Sequence, residues 1–178
     1  MAKSNQRDPG PPQADHVDRL AAQWARELPD LDTSPMQVLG RAYRASMLAA
    51  PALEAHFAAH GLDRGEFDVL GTLRRSGPPY TLTPTELYRS LMISSGGLTN
   101  RLGRLEKAGL IAREPSPDDG RSLLVRLTPD GVDKAEAAFR ADMALESRLL
   151  ASLDPADRET LAGLLRKLMI ALGEAGGS

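Results

Sequence analysis

The sequence contains no cysteine. That excludes disulfide staples, thiolate zinc sites and any peroxide sensor built on a reactive thiol. Histidine is scarce, with three in 178 residues. His56 and His60 fall four apart on one helical face, a spacing that can hold zinc with Glu54 or Asp63; His16 is far off and no further ligand cluster accompanies them, so no metal site is assigned. No run reaches the roughly 18 apolar residues of a membrane span, and the start MAKSNQRDPGPPQAD has no apolar core of signal-peptide length. A cytoplasmic protein with no membrane partner is therefore expected. The chain also lacks a nucleophile beside a base, and its SSGG segment has neither the spacing nor the preceding strand of a phosphate-cradling loop. Neither an enzyme nor a bound cofactor is expected.

What is present suits one domain with appended helices: 178 residues, 42% hydrophobic, form one core and are too few for two independent domains. The net charge of -2 and pI near 5.9 do not announce a nucleic-acid binder, but distribution matters more than the sum. Between Arg89 and Arg126 the chain carries a local +3, which leaves -5 for the remainder. Such polarity aims one face at phosphates and keeps the rest acidic.

Four regions follow along the chain. Residues 1–14 are rich in Pro, Gly and polar types and read as a disordered tail. Residues 15–60 read as N-terminal helices. In the first, Val17, Leu20, Ala21, Trp24 and Leu28 keep a helical stripe. In the second, Ser34 caps and Pro35 begins a long helix that kinks or restarts at Pro51. Because Val38, Leu39, Ala42, Tyr43 and Met47 spread over more than one narrow stripe, that helix is expected at a subunit interface. Residues 61–128 hold the motif described next. Residues 129–174 read as two C-terminal helices, opened by Thr128-Pro129 and Asp154-Pro155, with apolar stripes suited to packing against a second copy.

The stretch from Thr83 to Thr128 organises the rest. Thr83 and Glu86 frame a capping box with Pro84 at the first helical position. MISSGG breaks that helix, and Ser94 or Ser95 caps a second one whose Leu98, Leu102 and Leu105 recur at helical spacing. Gly109 ends it in a left-handed turn, after which LIARE and SLLVRLT read as strands joined by PSPDDGR. Asp63 and Glu66 repeat the capping-box pattern ahead of the preceding helix, which stops at Ser76-Gly77-Pro78. The expected fold is mainly α with a small β wing: a winged helix-turn-helix plus N- and C-terminal dimerisation helices.

TPTEL, SSGGLTNRLGRLEKAGLI, DDGRS and LTPDG together resemble the multiple antibiotic resistance regulator (MarR) family of winged-helix transcription factors. The resemblance implies a homodimer that presents two recognition helices to successive major grooves of a palindromic double-stranded DNA site. At the recognition-helix start, Ser94, Ser95 and backbone amides can hold phosphate, and Gly96 permits close approach. Thr99, Asn100 and Arg104 can reach base edges or the backbone, and Arg121 at the wing tip can enter a narrowed minor groove. Asp118 or Asp119 can pair with Arg121 and hold the wing's shape; the competing reading is that these are solvated turn residues of a hairpin.

A narrower resemblance joins QWARELPDLD and EFDVLGTLRRSG to the urate-responsive PecS and HucR-like subgroup. It implies a small-molecule effector site at Trp24, Asp68, Arg101 and Arg113, with Arg75 accessory. Arginine offers paired donors to an anionic oxypurine, Trp a flat face, and Asp an acceptor for ring N–H groups. An anion beside Arg113 would compete for the arginines, displace Asp68 from Arg101 and tilt the recognition helix. The function so implied is a ligand-responsive regulator, a repressor released by urate or a similar aromatic anion. The alternatives are a ligand-independent architectural DNA-binding protein, or a metal- or phenolic-responsive regulator of the same family.

Overall fold

A computed structural model describes residues 14–92, 97–115 and 123–173. Ser94, Ser95, Gly96 and Arg121, together with the wing tip and nearly all of the tail at 1–14, lie outside the described residues. The chain divides into two compact units, 1–51 and 52–178. No helix among the described residues is long and apolar enough to cross a membrane.

In the first unit, Asp15 and Asp18 form a capping box that starts α1, His16–Glu27. Arg41 on α2 binds both carboxylates, Asp15 at 2.8 Å and Asp18 at 2.6 Å, and Val17 is buried beside Gly40. The long helix α2, Ser34–Ala59, starts differently from expectation. Ser34 is its first helical residue, and the Asp32 carboxylate accepts from both the backbone N–H and the hydroxyl of Ser34. Nor does the helix restart at Pro51, which lies inside it. A proline there deprives the Met47 carbonyl of its donor, one lost bond in a helix of 26 residues. Val38, Leu39, Tyr43, Met47 and Leu48 on α2 stand exposed, Tyr43 at 68%.

In the second unit α3, Arg64–Arg75, starts at the Asp63–Glu66 capping box, and α4, Pro84–Ser90, at the Thr83–Glu86 box. Between them lies β1, Thr81–Leu82. The recognition helix α5, Leu98–Lys107, is followed by β2, Ile111–Pro115, and β3, Leu123–Leu127. The antiparallel sheet has the order β1-β3-β2, with Leu82 opposite Val125 and Arg113 opposite Val125 on the other side. Leu70 and Leu73 of α3, Leu87 of α4, Leu102 and Leu105 of α5 and Val125 of β3 close one core.

The cap of α5 corrects the expectation of a serine. Gly97 is the N-cap, with φ 79° and no side-chain hydrogen bond. Only glycine takes that left-handed conformation without strain, so backbone geometry does the work expected of Ser94 or Ser95. At the other end Gly109 is left-handed as expected, with φ 72°. Its N–H donates to the Glu106 carbonyl and that of Leu110 to Leu105, closing the last turn.

Two C-terminal helices complete the unit: α6, Pro129–Leu149, and α7, Pro155–Ala171. Thr128 and Asp154 cap them through side-chain oxygens. On α6 the inward stripe is Gly131, Ala135, Ala138 and Asp142, whereas Phe139 is half exposed. On α7 no residue is buried, and Leu161, Leu164, Leu165, Met169 and Ile170 are all exposed.

Candidate nucleic-acid interface and effector cavity

Helices α4 and α5 enclose an open groove of about 520 Å³ lined by Thr85, Tyr88, Leu98, Thr99 and Asn100. Thr99 and Asn100 are exposed on the first turn of α5, while Leu102 and Leu105 anchor its inner face. Polar side chains that can meet base edges thus sit on a helix that cannot roll without opening the core. Tyr88, 58% exposed, brings a hydroxyl and a ring to the same groove. Sequence reasoning passed over it, although a large aromatic beside the buried Leu87 was a usable signal.

Arg104 has an internal role that spacing alone did not suggest. It reaches α3, with Nη2 2.6 Å from Asp63 and Nε 2.5 Å from Glu66, the two residues that cap that helix. The same ion pairs fix α5 to the start of α3, and a DNA phosphate would have to compete with both carboxylates for this guanidinium. Arg101 lies one turn earlier against Gly65: a Cβ there would fall 2.2 Å from Arg101 Nε. Arg113 binds Glu106, its Nε 2.9 Å from the carboxylate, and holds the Glu106 carboxyl below the usual range. Arg126 binds Glu114 at 2.6 Å. Several cations of the basic stretch are therefore neutralised locally.

A second space, of about 920 Å³, opens between α3 and α6. Asp68 and Arg75 line it with Phe67, Arg74, Met92 and Phe139. Of the residues expected around an effector, these two are brought together here. Arg101 and Arg113 are not among the described lining, and Trp24 belongs to the first unit, on α1 and 48% exposed. Both cavity residues hold the end of α4. Asp68 accepts a hydrogen bond from the Met92 N–H at 3.2 Å, and Arg75 donates to the Ser90 carbonyl. Neither bond was legible in the sequence, since each joins α3 to the end of α4 or just past it, 15 or 24 residues away.

The far wall comes from α6. Arg74 binds Glu136 at 2.6 Å, which holds the Glu136 carboxyl below its usual range, and lies over the Tyr80 ring. Further along stand Asp142 and Glu146, both pushed up by burial, Glu146 also by repulsion from Asp142. His56 Nε2 lies 3.2 Å from the Ala138 carbonyl oxygen. This contact occupies one nitrogen of the histidine pair that spacing offered to a metal.

The raised Asp142 carboxyl sets a sign for pH dependence. Its folded form holds a proton more tightly than its unfolded form, so the stability it contributes is present at low pH and is lost as pH rises through the folded value. Asp142→Asn is expected to raise the urea midpoint at neutral pH and to leave a smaller decline above the ordinary carboxylate range. Urea denaturation of both proteins across pH checks this.

Similarity to known proteins matches this architecture. The MarR family model matches residues 60–122. The HTH-type transcriptional regulator PecS of Dickeya dadantii is 37% identical over 152 residues, covering 85% of this chain and 92% of its own. A mutant MarR from E. coli complexed with operator DNA superposes with a TM-score of 0.65 at 26% identity, over 82% of this chain and 97% of that one. Bordetella bronchiseptica BpsR, whose DNA binding is regulated by 6-hydroxynicotinic acid, superposes with a TM-score of 0.64 at 26% identity, over 74% and 98%. With its winged helix-turn-helix and its similarity to PecS along nearly the whole relative, the chain belongs to the MarR family of transcriptional regulators.

Proposed function

We propose that the protein binds a palindromic operator as a homodimer, acts as a repressor, and is released by a small anionic aromatic ligand such as urate. The observation that carries the ligand response is that Asp68 and Arg75 line the cavity and also hold Met92 and Ser90, at the end of α4 from which the chain leads to α5. A ligand that engages either side chain competes with a bond that holds the end of α4, next before the recognition helix in the chain. Its leverage is limited to its differential affinity for the two arrangements, typically about 1–3 kcal/mol.

Dimer formation is supported by the exposed apolar residues of α2 and of α7, far more than scattered surface positions require. Thr99 and Asn100 are proposed to read DNA, with Ser94, Ser95, Gly96 and Arg121 holding its backbone and Arg104 positioning α5. Trp24, Asp68, Arg75, Arg101 and Arg113 remain the proposed effector residues. Arg113 is poised for that role because an anion would replace Glu106 as its partner. The regulation of BpsR by 6-hydroxynicotinic acid, an aromatic acid, supports this class of effector.

Urate titrated into a mobility-shift assay with a promoter fragment tests the reading. Arg121→Ala should weaken DNA binding with and without urate, whereas Arg113→Ala should keep DNA binding and lose the response. Release by another aromatic acid, with none at millimolar urate, would replace urate as the effector. Equal loss of DNA affinity in both variants would contradict the division of roles.

A further inference from the structure

We propose that the cavity between α3 and α6 contains, at its Asp142–Glu146 end, a subsite for the ammonium group of an aromatic amine. This rests on the reading that the cavity admits an effector, and not on that effector being an anion.

The two helices run antiparallel along the cavity. Arg74 of α3 meets Glu136 of α6, while Arg64 and Asp68 share a smaller recess of about 70 Å³ with Asp142 and Glu146. Arg74, Arg75 and Arg140 line one end, where Glu136 offsets Arg74, and Asp68, Asp142 and Glu146 line the other, where Arg64 is the nearby arginine. Phe67, Phe139, Met92 and Met143 form the waist between them. From Arg140 to Glu146 the helical rise is about 9 Å, the length of one aromatic ring with a short side chain.

Asp142 distinguishes the acidic end from an ordinary solvated cluster. It is only 5% exposed, it lines both spaces, and its Oδ1 has no hydrogen-bond partner among the described residues. A buried carboxylate oxygen without a donor is costly, and the cost falls when a donor arrives. Glu146 stands one turn further along α6 and repels it. His56 and the exposed Arg64 attract Asp142, and Arg64 also attracts Glu146, but burial outweighs them and both carboxyls stay raised. An ammonium group offers three donors and a positive charge to two carboxylates, and the aromatic body it carries fits between Phe67 and Phe139.

Calorimetric titration of the full chain with 2-phenylethylamine, and separately with 3-phenylpropionate, tests the subsite. The two probes match in shape and differ in the sign of their charge. The amine should bind saturably to the wild type, at least tenfold more weakly to Asp142→Asn, and more tightly to Arg64→Gln, which removes a competing cation. Phenylpropionate should bind Asp142→Asn as well as or better than the wild type. No saturable binding of the amine, or equal binding to wild type and Asp142→Asn, would overturn the proposal. If the amine binds and neither phenylpropionate nor urate does, the subsite stands and the anionic effector falls.

Discussion

Gly131→Ala is expected to cost about 3 kcal/mol of stability, the upper part of the range for a forced steric insertion. A Cβ at this position would fall 1.9 Å from the Leu110 carbonyl oxygen. That oxygen already accepts the Thr128 N–H at 3.1 Å, and the Thr128 hydroxyl donates to the Gly109 carbonyl at 2.7 Å. The start of α6 is therefore docked on the turn that ends the recognition helix. Because the obstacle is backbone, no side chain can rotate away; either α6 retreats or the turn opens. A lower melting temperature, by about 10 °C for a chain of this size, and a lower urea midpoint would show it. A melting curve within 2 °C of the wild type would mean that the two segments separate freely.

Replacing Thr99 and Asn100 together with alanine should weaken operator binding on the order of 100-fold, from about 1–3 kcal/mol for each lost base contact. Both side chains are exposed and line the groove between α4 and α5, so unfolding should be unchanged. The residual binding should be the salt-dependent, sequence-independent kind that phosphate contacts supply. Fluorescence anisotropy with operator and scrambled duplexes would separate the two terms.

Much of the fold was legible because its signals are local. Thr83 with Glu86, Asp63 with Glu66, and Thr128 with Pro129 announce helix starts within four residues, and each structure forms as spaced. Gly109 announced its left-handed turn in the same way. The start of α5 differs from expectation because Ser94, Ser95 and Gly97 all fall within four positions, and only the backbone angle decides among them.

The site was less legible because its connections are long-range. The ion pairs of Arg104 with Asp63 and Glu66 join residues 38 or more apart, so a side chain with the right spacing for DNA also holds two helices together. Asp142 did leave a trace. It continues the spacing of Ala135 and Ala138, which places a carboxylate on the inward stripe of α6. The larger Phe139 and Met143, partly exposed along the cavity, carry a stronger apolar signal and mask it.

The central claim is that α4 and α5 read DNA as part of a symmetric pair. Selection from a random duplex library with the full chain, followed by nuclease footprinting of an enriched fragment, tests it most directly. The account predicts an inverted repeat with half-sites centred about 10 base pairs apart, protected by the wild type and unprotected by the Thr99→Ala, Asn100→Ala variant. Enrichment of no sequence, or identical protection by wild type and variant, would contradict it.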